Sequence, residues 1–176
     1  MRKYIYISFL FLLFGSLVIT SCSDSGTSMI EDITVMEDSL FNSEDASFDK
    51  DKAQALVDAY ENFCSKYPKN EKCPEYLFRA GDLSKGLRQS NKALEFYQKV
   101  HKEYSDHEKA PLALFLQGFV YENDLGDYQN AKIIYEKFVD QYPDHHMAQD
   151  AEFSLKNLGK TPEQLLMEFQ QKQDTI

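Results

Sequence analysis

PLALFLQGFVYENDLGDYQNAKIIYEKFVDQYP, residues 111–143, is the stretch on which the reading of this chain turns. Apolar residues in it recur at helical spacing, as in Ile134, Tyr135 and Phe138, so each half can bury one face. Gly126-Asp127 breaks the pattern between the halves, and Pro111 stands where a first helical turn accepts proline. No alternating β-branched run suggests a strand. The stretch predicts two amphipathic helices joined by a short turn.

Moving outward, the same pattern returns. Tyr135, Phe138 and Tyr142-Pro143 align with Tyr97, Val100 and Tyr104-Ser105, and these with Tyr60, Phe63 and Tyr67-Pro68, in steps of 38 and 37 residues. Leu56, Ala93 and Ala131 keep one offset, four residues before each first Tyr. Pro74–Phe78 (PEYLF) aligns with Pro111–Phe115 (PLALF), Phe153 follows Phe115 by 38 residues, and Phe41 precedes Phe78 by 37. A fixed period of this length is the mark of a stacked repeat. Helices are expected near 50–66, 74–86, 90–104, 110–124, 128–141, 146–158 and 162–172. Leu94, Tyr97 and Val100 repeat the spacing of the third block.

These residues resemble the tetratricopeptide repeat over roughly 50–160. In 111–143, Leu114, Gly118, Tyr121, Ala131, Tyr135 and Pro143 follow that family's pattern, with one residue inserted before Gly126. In 74–105, Leu77, Gly81, Ala93 and Tyr97 follow it, while Ser84 and Ser105 depart from it. The block ending at Pro68 keeps its second helix; its first is degenerate or absent, because Ser43–Asp51 is polar. The resemblance implies an all-α solenoid of about three helix pairs. Gly81 and Gly118 would let the helices of a pair close on one another, and the aromatics would fill the gaps between pairs. Gly159, Thr161 and Pro162 read as a C-cap, an N-cap and a first helical residue, giving a C-terminal capping helix.

In that family the first helix of each pair lines a concave groove for a partner's peptide or helix. Carried over by register, the groove residues are Glu75, Phe78, Asp82, Lys85, Leu112, Phe115, Phe119, Glu122, Asn123 and Phe153. The aligned Phe78, Phe115 and Phe153 read either as an aromatic stripe that grips a partner or as core between repeats. Core is the usual fate of such a stripe, and it is the expectation for Phe78 and Phe153. Phe115 and Phe119, four apart on one helix, are harder to bury together. A leader helix carrying Phe41 is a third candidate occupant of the groove.

Residues 1–21 have another character. Arg2 and Lys3 precede an apolar run to Ile19, which closes in small residues before Cys22. This predicts a secretory signal peptide; the run is shorter than the ~20 residues of a spanning helix and lacks a following basic cluster. Ile19-Thr20-Ser21-Cys22 resembles the bacterial lipobox, which implies acylation of Cys22 and a membrane anchor. Ser23-Asp24 bears a faint likeness to the surface-export signal of some Bacteroidota lipoproteins; with a single acid there, the periplasmic face is preferred. Residues 22–49 read as an acidic flexible tether with a short helix at about 29–42, and 50–176 as the repeat domain.

The charge pattern agrees with that division. The chain has 19 Lys+Arg and 29 Asp+Glu, a formal charge of -10. Residues 22–49 carry eight acids and no base, while residues 50–176 carry 17 bases against 21 acids. An acidic chain argues against nucleic acid as partner and against docking on anionic lipid through basic residues. Acids on helix faces read as solvated surface. No nucleotide loop, nucleophile elbow or metal-ligand spacing is present, so no enzyme, cofactor or metal is expected. His107 and His145 occupy matching loops and read as loop or cap residues. Cys64 and Cys73 flank the loop SKYPKNEK. Either they bridge, stapling two repeats by roughly 2–3 kcal/mol, or they are two unrelated cysteines.

The expectation is an outer-membrane-anchored repeat scaffold in a bacterial envelope, similar to the lipoprotein of the β-barrel assembly machinery. The alternatives are a Tol–Pal or cell-division coordinator and an accessory lipoprotein of nutrient uptake. In each case the partner is an envelope protein offering a helix or extended segment.

Overall fold

The computed structural model describes residues 26–42 and 48–173. Eight α-helices follow one another along these residues: α1 (Thr27–Phe41), α2 (Lys50–Lys66), α3 (Cys73–Gly86), α4 (Ser90–Glu103), α5 (Lys109–Phe119), α6 (Tyr128–Gln141), α7 (Ala148–Asn157) and α8 (Pro162–Gln173). A π-turn over Val120–Asp124 continues α5. From α1 to α7 each helix packs on the next, and α3 also touches α5. This is an all-α solenoid of three helix pairs, α1/α2, α3/α4 and α5/α6, with α7 and α8 at the C-terminal end.

The start of most helices follows from local chemistry. Asp49 accepts hydrogen bonds from the backbone N–H groups of Asp51 and Lys52, and Asp127 accepts one from Asn130, so both cap their helices. Thr161 and Gln164 exchange bonds in a capping box at α8, after a left-handed Gly159. The turns between pairs repeat as well. His107 Nδ1 accepts from the N–H of Lys109 and His145 Nδ1 from that of Met147, each at 3.2 Å. Asn70 Oδ1 does the same for Lys72 at 3.0 Å. The two histidines are thus loop caps, and asparagine fills the same role one repeat earlier.

The first pair corrects an expectation. Its first helix is not absent: α1 supplies it. Ile33 is buried, and Met29, Ile30, Met36 and Leu40 pack against the core at helical spacing. The pairing is hidden in the sequence because residues 42–49 separate α1 from α2 where three residues separate α3 from α4. The short helix expected at about 29–42 is thus α1, packed on α2 as part of the solenoid. Phe41 itself is 58% exposed and fills no groove.

Among the described residues the interior comprises two clusters. Residues of α1–α4, with Ala113 and Val120, form the larger. Leu114, Phe115, Ala131, Tyr135, Phe138, Ala148 and Ala151 form the smaller. Tyr60, Tyr97 and Tyr135, the aligned tyrosines, are completely buried, one at the heart of each pair.

Candidate protein-interaction surface

Each of the three aligned tyrosines must place a hydroxyl inside an apolar interior, and each solves this in the same way. Tyr60 donates to Glu37 at 2.5 Å, Tyr97 to Asp82 at 2.6 Å and Tyr135 to Glu122 at 2.9 Å. Every acceptor is a carboxylate on the first-helix side of the same pair. Burial, and then the carboxylate beside it, push all three phenols far above their ordinary range, so they remain donors. Burial also raises the Asp82 carboxyl, against the pull of the Tyr97 bond. A row of acids along α1, α3 and the end of α5 is thereby fixed from beneath.

Basic residues interleave with that row. The Arg79 guanidinium bonds Glu37 of α1 at 2.8 Å and Glu75 of its own helix at 2.8 Å. Lys109 of α5 reaches the other oxygen of Glu75 at 3.9 Å and stands 5.2 Å from the Phe78 ring. Lys85 of α3 lies over the Phe119 ring of α5 at 4.1 Å. Burial works against the charge on Arg79, but its bonds to Glu75 and its partners on α1 and α2 hold it charged. Where α1 meets α3, Thr34, Glu37, Glu75, Tyr76, Arg79 and His107 line a cavity of about 490 Å³. The first-helix face is thus a mixed-charge surface with a hollow between its first two helices.

The residues expected in a groove divide on this face. Glu75, Asp82, Lys85, Leu112, Phe119 and Glu122 lie on α3, α5 and its π-turn and join the contacts just described or the core beneath them. Asn123 is exposed, and its amide donates back to the Phe119 carbonyl. Phe78 and Phe115 are not offered to a partner: burial of Phe78 agrees with the core expectation, whereas burial of Phe115 corrects its place in the groove. Each is 7% exposed and tilts against the tyrosine of its own pair, 5.7 Å from Tyr97 and 5.5 Å from Tyr135. Phe153 departs from the expected core in the opposite sense and is 52% exposed on α7. The aligned phenylalanines therefore form no continuous stripe.

Glu37, Arg79 and Lys109 carry this face and were not picked out by register. Glu37 was hidden because α1 was not paired with α2; the i, i+4 spacing of Glu75 and Arg79 was the available signal for Arg79. Cys22 lies outside the described residues. Cys64 and Cys73 are buried free thiols. No helix among the described residues is long and apolar enough to cross a membrane.

A family model described as tetratricopeptide repeat matches residues 75–107 and 112–145. Those spans coincide with the two pairs α3/α4 and α5/α6. No curated protein matches the chain. Domains built of tetratricopeptide repeats generally mediate protein–protein interaction.

Proposed function

We propose that this tetratricopeptide-repeat chain is an interaction scaffold of the bacterial envelope, tethered to the outer membrane through acylated Cys22. Its first-helix face receives a helix or extended segment of another envelope protein. The observation that carries the interaction is the ladder Glu37–Arg79–Glu75–Lys109, which spans three first helices and borders a hollow between two of them. Alternating charges held in place before binding select a partner of complementary pattern and steer its approach. A long apolar helix is a poorer match, because Phe78 and Phe115 are committed to the interior. The support for the anchor is Arg2-Lys3, the apolar run and the lipobox-like ending at Cys22.

Capture from solubilised outer membranes tests both parts. Full-length protein and its Lys85→Glu/Lys109→Glu variant are compared, with helix content checked by circular dichroism. The wild type should retain a defined partner that the variant loses. Subunits of barrel assembly favour a role in outer-membrane protein assembly, Tol–Pal proteins favour envelope coordination, and a transporter favours nutrient uptake. Equal capture by a folded variant removes the first-helix face as the site. Partition of the wild type into the soluble fraction, unchanged by Cys22→Ala, removes the anchor.

A further inference from the structure

Gly26 fixes where an anchor at Cys22 must sit. It precedes α1, is buried and takes the left-handed conformation at φ 75°. A β-carbon there would lie 2.7 Å from the Phe63 ring and 2.9 Å from that of Tyr67, so Gly26 is seated on the end of α2. Its carbonyl accepts from the N–H of Ile30 at 2.9 Å, which joins the seat to α1. Cys22 stands four residues earlier in the sequence, and four fully extended residues span at most about 14 Å. The 17 residues of α2 run for roughly 25 Å to its other end. Cys22 held at a membrane surface therefore stays with the end of the solenoid that holds Tyr67 and cannot reach the end that holds Lys50.

That end carries a basic exception in an acidic chain. Lys66, Lys69 and Lys72 are all exposed where α2 turns into α3, against one acid, Glu71. The turn is held in place. Asn70 N–H bonds the Tyr67 carbonyl at 2.8 Å, Cys73 N–H bonds the Asn70 carbonyl at 3.0 Å, and the Tyr104 hydroxyl donates to the Pro68 carbonyl at 2.8 Å. The lysines therefore project from a fixed base. The next joint, between α4 and α5, holds Glu103, Asp106 and Glu108 against Lys102 and Lys109, and the one after it holds Asp140 and Asp144. At the opposite end, the turn between α5 and α6 holds Asp124 and Asp127.

We propose that the turn between α2 and α3 is the membrane-facing contact of the anchored protein, with Lys66, Lys69 and Lys72 against anionic phospholipid headgroups. This rests on the reading of Cys22 as acylated and adds the orientation. The anchor supplies residence on the membrane, and the lysines choose the pose. Headgroup attraction falls off within about 10 Å, and the short link keeps this turn inside that range. The net acidity of the chain still disfavours lipid binding without the anchor. The acidic joints that follow are repelled by the same surface, so the solenoid rises from its first joint and carries α7 and α8 away from the membrane. The hollow at Glu37 and Arg79 also takes in Glu71 and Lys72 of this turn, so a partner segment enters it beside the membrane.

The test floats full-length acylated protein on vesicles of phosphatidylethanolamine and phosphatidylglycerol. Lysines are then labelled with an acetylating reagent that does not cross lipid, and the sites are mapped by mass spectrometry. Soluble Cys22→Ala protein is the reference. Lys66, Lys69 and Lys72 should be modified several-fold less than in the reference, measured against Lys50, Lys52 and Lys132 near the starts of α2 and α6 in the same molecules. A flexible Gly/Ser insertion between Ser25 and Gly26 should leave flotation intact and return the three lysines toward the reference; unchanged protection would sink the short link as its cause. Wild type that floats with the reference pattern, or with Lys50, Lys52 and Lys132 protected instead, overturns the orientation and leaves the anchor standing. Wild type that does not float overturns the anchor and the orientation with it.

Discussion

The pairs α3/α4 and α5/α6 are two solutions to the same packing problem with one residue of difference between them. Gly81 precedes Tyr97 by 16 residues, whereas Gly118 precedes Tyr135 by 17. The contact they make is nonetheless the same: a β-carbon on Gly81 would lie 2.5 Å from the Tyr97 ring, and one on Gly118 2.6 Å from that of Tyr135. The extra residue is taken up by the π-turn at Val120–Asp124, where Leu125 N–H bonds back to the Val120 carbonyl. Packing at the glycine is conserved between the pairs, and helix geometry yields. The turns beyond differ as well. Gly126 takes the left-handed conformation at φ 63° in one pair, and Arg88 is forced into it at φ 62° in the other.

The strongest way to break this equivalence is Gly81→Ala or Gly118→Ala. Both should destabilise by about 2–3 kcal/mol in denaturant unfolding, because a buried tyrosine ring must shift. If one costs much less than the other, the two contacts are not equivalent. Next come Tyr97→Phe and Tyr135→Phe. Each removes one hydroxyl-to-carboxylate bond and should cost about 1–2 kcal/mol by the same measurement. Near-neutral values would show the acids to be held by something other than the tyrosines.

Arg88→Gly sharpens the comparison in the other direction. It should raise stability by about 0.5–1 kcal/mol by relieving the left-handed residue, while Gly126→Arg lowers it. A loss on Arg88→Gly would mean that the arginine conformation is not strained.

The smallest effect concerns the seam between the two pairs. His101 on α4 stands with Nε2 3.1 Å from the Lys137 ammonium of α6 and its ring against Tyr142. Burial, followed by the charge of Lys137, lowers its affinity for a proton. The unfolded chain therefore binds that proton first, so stability falls as pH drops below the ordinary histidine range. His101→Gln should flatten the acid side of a stability–pH curve; an unchanged slope there would assign it to other groups.

Much of this fold was legible because the repeat is written in large residues and small ones at fixed offsets. Gly81, Gly118, Ala93, Ala131 and the three tyrosines announce a close helix–helix approach wherever they fall, and α2 through α8 lie near the expected positions. The first pair was obscured because the eight residues at 42–49 between its helices break the period, although Ile30, Ile33 and Leu40 already suggested a helix. The candidate surface was less legible. Register placed Phe78 and Phe115 on the first helices, but only packing against Tyr97 and Tyr135 decides that they point inward. Arg79 and Lys109 acquire meaning from partners 42 and 34 residues away, a distance that no local pattern encodes.

The division of the interior has a mechanical consequence. Ala113 and Val120 belong to one apolar cluster and Leu114 and Phe115 to the other, while Leu112 and Leu116 touch both. One helix is thus the common wall of two rooms. A substitution that displaces α5 is therefore felt by the packing of both clusters at once.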